Sequence, residues 1–215
     1  INNILKMGYA DLGFVCTSSF IICERGFKAK IFVIPQVKGV ISYNSYIIVN
    51  KNSRFKSFID LKGKIFAFGD PVSFSGFFYP IFRLKLMNEN YLDYFSSTIF
   101  TGSHDNSIIA VADGIVDGSA VDSIIYDQLL SIKDHHVVKT KIIETSPAFG
   151  IPPIISRPGL NEKLKEKLQN AFVNMHKDAE GQQILKKAYI DKFILPKDDI
   201  YLSAREIMLK LGAVK

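Results

Sequence analysis

Three apolar runs in succession, at 65–68, 97–100 and 118–121, each stop in small polar residues that open a helix-like run. The stops read GDPVSFSG at 69–76, TGSHD at 101–105 and DS at 122–123. A strand that turns through Gly, Ser, Thr or Asp into a helix is continued most simply by a parallel strand beside it. Repeating that unit predicts an α/β fold with mainly parallel central sheets. It also predicts where a ligand sits, because open α/β sheets bind at the carboxyl ends of their strands.

The rest of the chain extends the pattern. Apolar and β-branched runs predict strands at 11–15, 30–34, 45–49, 137–144 and 154–156. Helices are predicted at 19–24, 57–61, 77–87, 106–112, 124–130, 162–176, 180–188 and 204–211. The helix at 77–87 is apolar around most of its circumference, which predicts burial.

The chain of 215 residues suffices for one sizeable domain or two lobes. Its net charge of +6 suits an anionic ligand, but the lysines are scattered and read as a generally basic surface. No nucleic-acid-binding motif is present, and nucleic acid is not expected as a partner. Cys16 and Cys23 are too few for a disulfide scaffold or a four-cysteine zinc site, and their redox state stays open. His135 and His136 adjoin each other in a predicted loop without matching ligand spacing, so neither metal nor cofactor is expected. No apolar run reaches the roughly 18 residues that cross a bilayer. The first residues lack a signal-peptide pattern, and a chain beginning with Ile1 reads as processed, excised or truncated.

The turn at 69–76 carries the chemistry. The first turn of a helix has unpaired N–H donors and the positive end of the macrodipole, a ready anion site. Ser73 and Ser75 add hydroxyls, Phe74 adds its backbone N–H, and Gly76 admits a close approach. Against this stands plain N-capping by either serine. A second hydroxyl-rich junction lies at Thr17 and Ser18. His104 either donates or caps, and Asp122 either meets a ligand or caps its own helix. Tyr43 and Tyr46 either line a cleft or pack in a core. Ser73 or Ser75 with His104 and Asp122 also spells a serine-hydrolase triad. The Gly-x-Ser-x-Gly elbow is absent and the order differs, so the chain is not expected to be an enzyme.

The runs DLKGKIFAFGDPVSFSG, TGSHDNSIIAVADGIVDGSAVDS, SPAFGIPPIISRPGL and MHKDAEGQQIL resemble the phosphate/phosphite/phosphonate-binding proteins of ABC transporters. That branch belongs to the type 2 periplasmic binding proteins, and the resemblance runs from about Tyr9 to the end. It implies two α/β lobes, joined by two crossing strands, that close on a small phosphorus oxyanion. Lobe 1 is expected at 1–51 plus 144–215, and lobe 2 at 52–143. Members begin with a further β-α-β-α portion that this sequence lacks, so lobe 1 is expected to be incomplete as given.

Carried over by motif, the ligand-binding positions are Ser73, Phe74, Ser75, Gly76 and His104, with Thr17 and Ser18 from lobe 1. The family often has Thr where Phe74 stands, which removes one hydroxyl. The acidic pair that reads an aminophosphonate's ammonium falls near Ile124 and Pro152, which cannot do so. Asp122, a nearby carboxylate, would accept only from a protonated oxyanion and so separate phosphoryl ligands from sulfate. Tyr46 completes the expected set. The resemblance implies a periplasmic or extracellular monomer, tethered as a lipoprotein or free, working with a membrane permease. The alternative is the ligand-sensing domain of a histidine kinase or diguanylate cyclase with the same fold.

Overall fold

In a computed structural model describing residues 1–214, the chain divides into Ile1–Ser42 with Phe149–Lys215, and Tyr43–Ala148. The second unit is built on a five-stranded sheet in the order Ser97–Phe100, Ile65–Phe68, Gly118–Asp122, Ser45–Asn50, Thr140–Thr145. Ile65–Phe68 runs parallel to both of its neighbours, as the strand-turn-helix repeats predict. Ser45–Asn50 runs antiparallel to both of its own. In the first unit, the order is Leu12–Phe14, Ile154–Ser156, Lys30–Gln36, Lys192–Ile194, and every pairing is antiparallel.

The sheets are therefore mixed, where mainly parallel pairing was expected. Strands joined through a helix do point the same way: Leu12–Phe14 and Lys30–Gln36 are both antiparallel to Ile154–Ser156. What local patterning misses is the strand inserted between them from more than a hundred residues later. The expected boundaries at 51/52 and 143/144 also differ from the observed division. Ser45–Asn50 and Thr140–Thr145 pair along their length, so one sheet takes both strands whole.

Alternation in Ile65–Phe68 divides the second core. Phe66 and Phe68 face one side with Phe58, Leu84, Tyr94 and Phe95. The Phe66 and Phe95 rings stack with centroids 4.4 Å apart. Ala67 faces the other side with Ile48, Ile108, Val111, Val121 and Tyr126. Burying each such phenylalanine contributes about 1.5–3 kcal/mol, which fixes the strand whose end holds the turn. In the first unit, Phe32, Val33, Ile154 and Phe193 receive Leu168 and Phe172 from the otherwise charged helix Glu162–Asn174.

Element ends depart from expectation for local reasons. The strand predicted at 137–144 starts only at Thr140, after a 3-10 turn over Val137–Lys139. Asp134 Oδ1 accepts from the His136 and Val137 N–H groups at 2.9 and 3.3 Å and winds that segment. The short helices Asn2–Lys6 and Tyr91–Tyr94 and the strand Lys192–Ile194 lie outside the predicted elements. Cys16 is half-buried and Cys23 buried, neither joined in a disulfide, with Cys23 pushed up to about 11 by burial. Among the described residues, no helix is long and apolar enough to cross a membrane.

Candidate functional site

Helix begins earlier than expected after Ile65–Phe68, at Phe74, and its first turn is widened. The segment Phe74–Phe78 is a π-helical turn, with the Phe78 N–H donating to the Ser73 carbonyl at 3.1 Å. Pro80 has no N–H to give the carbonyl four residues back, at Gly76. That carbonyl instead receives the Gly69 N–H at 3.3 Å, and the Ser75 carbonyl receives the Ser45 hydroxyl at 2.7 Å. The missing donor thus ties the start of the helix to the strand ends beneath it.

Ser73 caps this helix by accepting the Gly76 N–H at 3.0 Å. His104 opens the helix His104–Ala112, and its Nδ1 accepts the Asp122 backbone N–H at 3.2 Å. An acceptor Nδ1 places the proton of the neutral ring on Nε2. Burial favours that neutral form and pushes the imidazole down to about 4, against the opposing pull of Asp105 and Asp70. The Nε2–H lies 3.4 Å from Ser73 Oγ. With one N–H donated to it and a second directed at it, the Ser73 oxygen keeps its own proton available to an acceptor. Ser75 is buried in the same turn, held through its carbonyl by the Ser45 hydroxyl.

Gly76 has a reason that sequence alone did not supply. A Cβ there would lie 3.0 Å from His104 Cε1 and 3.0 Å from Ser73 Oγ, and one at Gly69 would lie 3.4 Å from the same ring. The two glycines make room for the histidine that joins the turn to the next strand end.

Asp122 ends the strand Gly118–Asp122 and caps the helix Ser123–Ser131, accepting the Ile124 N–H at 2.7 Å. Burial pushes its carboxyl up to about 7, opposed by bonds from the Ile124 and Ile125 N–H groups and reinforced by the Asp127 charge. Capping and a place beside His104 thus coexist in one residue. Ser73, Gly76, His104 and Asp122 form one connected hydrogen-bonded group that follows the ends of three strands, Ile65–Phe68, Ser97–Phe100 and Gly118–Asp122. Phe74 and Ser75 lie in the same widened turn.

The remaining expected residues sit elsewhere. Tyr46 pairs with Val121 in register and stacks edge-on against Tyr126 at 5.6 Å; burial, then the charge of and a bond to Asp127, raise its phenol. Tyr43 is buried. In the first unit, Thr17 and Ser18 open the helix Thr17–Phe27 and are fully buried. The Thr17 hydroxyl donates to the Gly150 carbonyl at 2.8 Å, and Ser18 Oγ lies 3.4 Å from Cys16 Sγ. Sequence reasoning missed Ser45, which anchors Ser75, and the support of Ser45 by Ser146 Oγ at 2.8 Å. The available signal was a serine heading the β-forming run SYIIVN.

Residues 2–201 match the family described as ABC transporter, phosphonate, periplasmic substrate-binding protein. The phosphonates-binding periplasmic protein of Escherichia coli (strain K12) is 31% identical over 153 residues, covering 69% of this chain and 45% of that protein. The phosphate-import protein PhnD of Mycolicibacterium smegmatis is 28% identical over 148 residues, covering 65% and 46%. The chain therefore spans about half the length of these two relatives. A solved binding component of an ABC phosphonate transporter from Pseudomonas aeruginosa superposes with TM-score 0.89 at 24% identity, covering 99% of this chain and 72% of that one. PhnD1 of Prochlorococcus marinus, in complex with methylphosphonate, gives 0.87 at 23%, covering 99% and 82%. These likenesses establish the type 2 periplasmic-binding-protein fold.

Proposed function

The chain belongs to the periplasmic substrate-binding proteins of phosphonate ABC transporters, and from that premise we propose that it captures a small phosphorus oxyanion for an importer. The observation that carries this reading is the donor set on the second unit. Ser73 O–H, the His104 Nε2–H and the opening turn of the helix at Phe74 are uncharged and held in place by the protein's own bonds. Neutral donors and a helix start suit an anion that must be bound and then released. Relatives described as binding phosphonates, importing phosphate and holding methylphosphonate support the same ligand class.

Ser73, Phe74, Ser75, Gly76 and His104 are proposed as the main contacts. Asp122 is proposed as the selector: ionised, it accepts from a protonated phosphoryl oxygen and repels an unprotonated sulfate. Thr17 and Ser18 are proposed as backbone N–H contributors from a helix start, since the Thr17 proton is already given to Gly150. Tyr46 is retained as a contact of lower rank, because its phenol serves Asp127. A membrane permease as partner, a monomeric state and tethering as a lipoprotein belong to the same proposal.

Calorimetry and thermal shift against phosphate, phosphite, hypophosphite, methylphosphonate, 2-aminoethylphosphonate and sulfate test it. One phosphorus oxyanion should bind and raise stability by about 2.7 kcal/mol at a hundredfold excess over Kd. Ser75→Ala or His104→Ala should abolish that binding. Silence across the panel in a folded sample removes the reading. An unchanged phosphate-to-sulfate ratio in Asp122→Asn removes Asp122 as the selector.

A further inference from the structure

The turn between the helix Ser123–Ser131 and the strand Thr140–Thr145 gathers Asp134, His135 and His136 with their ligand atoms within 4.8 Å of one another. Each of the three has a defined place. Asp134 Oδ1 is held by the His136 and Val137 N–H groups, which leaves Oδ2 facing His135 Nδ1 at 3.9 Å. His136 presents Nδ1 to Asp134 at 3.8 Å, while its Nε2 lies 3.9 Å from Asp113 Oδ2. The two imidazole centroids are 3.7 Å apart, and both rings face the Asp134 carboxylate.

We propose that Asp134, His135 and His136 bind one divalent transition-metal ion of the zinc class. Two imidazole nitrogens and a carboxylate oxygen are a donor set that zinc and nickel accept, with water completing the coordination. Bonds of about 2.0–2.2 Å in a tetrahedral site put ligand atoms roughly 3.3–3.5 Å apart. Reaching that from the observed spacing needs closure of at most about 1.5 Å, within the swing of the exposed His135 ring. Asp113 is the orienting partner. A proton on His136 Nε2 directed at its carboxylate leaves Nδ1 as the metal-binding lone pair, the carboxylate–histidine–metal arrangement. Lys139, 3.7 Å from the other Asp113 oxygen, holds that carboxylate without entering the site.

The site is separate from the anion donors. Thr140–Thr145 and Gly118–Asp122 both run antiparallel to Ser45–Asn50. The turn before Thr140 is therefore at the Gly118 end of the sheet, a strand length of about 15 Å from Asp122. Metal and oxyanion binding can then be read independently.

The test is titration of chelator-treated, tag-free full chain with Zn2+ and Ni2+ by calorimetry, with circular dichroism as the folding control. One ion per chain is expected. The His135→Ala/His136→Ala double variant should lose more than about tenfold in affinity, and Asp134→Asn, whose remaining oxygen still accepts the turn N–H groups, should lose a similar factor. Asp113→Asn should lose about tenfold. Methylphosphonate titration of the double variant should match the parent chain. No saturable ion binding, or equal affinity in the parent and both ligand variants, would overturn the site.

Discussion

Two strand-to-helix junctions look alike in sequence and differ in where their protons go. CTSS at 16–19 and VSFS at 72–75 both place small hydroxyl residues at the start of a helix. In the first unit the Thr17 proton is given to Gly150, a bond that fastens the helix to the chain returning from the second unit's sequence. In the second unit Ser73 receives an N–H from Gly76 and faces another from His104, so its proton stays unspent. One hydroxyl holds the fold together, and the other is left able to hold something else. Charge does not make this distinction. The first unit has seventeen Lys and Arg against ten Asp and Glu, and the second has ten against eleven. The proposed anion donors thus stand on the unit without the positive excess, so in that reading they work by direction instead of net charge.

The largest test of the contrast is pH. Asp122, raised from 3.8 to about 7, contributes stability present at low pH and lost as pH rises from about 4 to 7. His104, lowered from 6.5 to about 4, contributes stability present above pH 6.5 and lost as pH falls toward 4. As orders of magnitude they amount to about 4 and about 3 kcal/mol, and between about pH 4 and 6.5 they oppose. In urea melts across that window, Asp122→Asn should become more stable as pH rises, and His104→Gln less stable. Thr17→Val should keep the parent's profile. Slopes of the same sign in the two second-unit variants would break the contrast.

Next in size is a crossed pair of substitutions. Ser73→Ala should remove the proposed hydrogen bond to a charged ligand, about 1.5–3 kcal/mol or roughly 10–100-fold in Kd, and about 1 kcal/mol of capping. Thr17→Val should do the reverse, losing about 1–3 kcal/mol of stability by leaving a buried carbonyl unpaired while changing affinity less than about threefold. Calorimetry beside thermal melts separates them, and equal affinity losses would mean that both hydroxyls act alike. The smallest effect sharpens the account of the widened turn. Pro80→Ala supplies a donor that competes with Gly69 for the Gly76 carbonyl. The Gly69 amide should then exchange faster, with a drop in affinity of about threefold or less; unchanged exchange would show that Pro80 does not direct this bond.

The alternation of strands and helices was readable because each strand's own residues decide its faces. Ile65–Phe68 and Ser97–Phe100 lie where the pattern puts them. Antiparallel insertion of Ile154–Ser156 was not, because pairing at such separation leaves no local trace. Ser73 and His104 stood out because polar residues that interrupt apolar runs at strand ends are chemically conspicuous. Their division of labour was hidden. Whether a hydroxyl gives or receives depends on partners such as Gly150 and Gly76, which no spacing rule connects to it. The Pro80 effect was hidden for a related reason, since a missing donor matters only when its would-be acceptor finds another partner.

The contact between position 76 and the His104 ring also restricts how such a chain can drift. A side chain at 76 would have to occupy space that the imidazole fills, within 3.0 Å of Cε1. The first methyl to settle there therefore favours any later replacement of the histidine by something smaller. Once both have changed, restoring either alone brings no gain. The bulky ring clashes with the new methyl, and the bare glycine has no ring to make room for. Loss by this route behaves as a ratchet, and lineages that keep the imidazole keep the glycine with it.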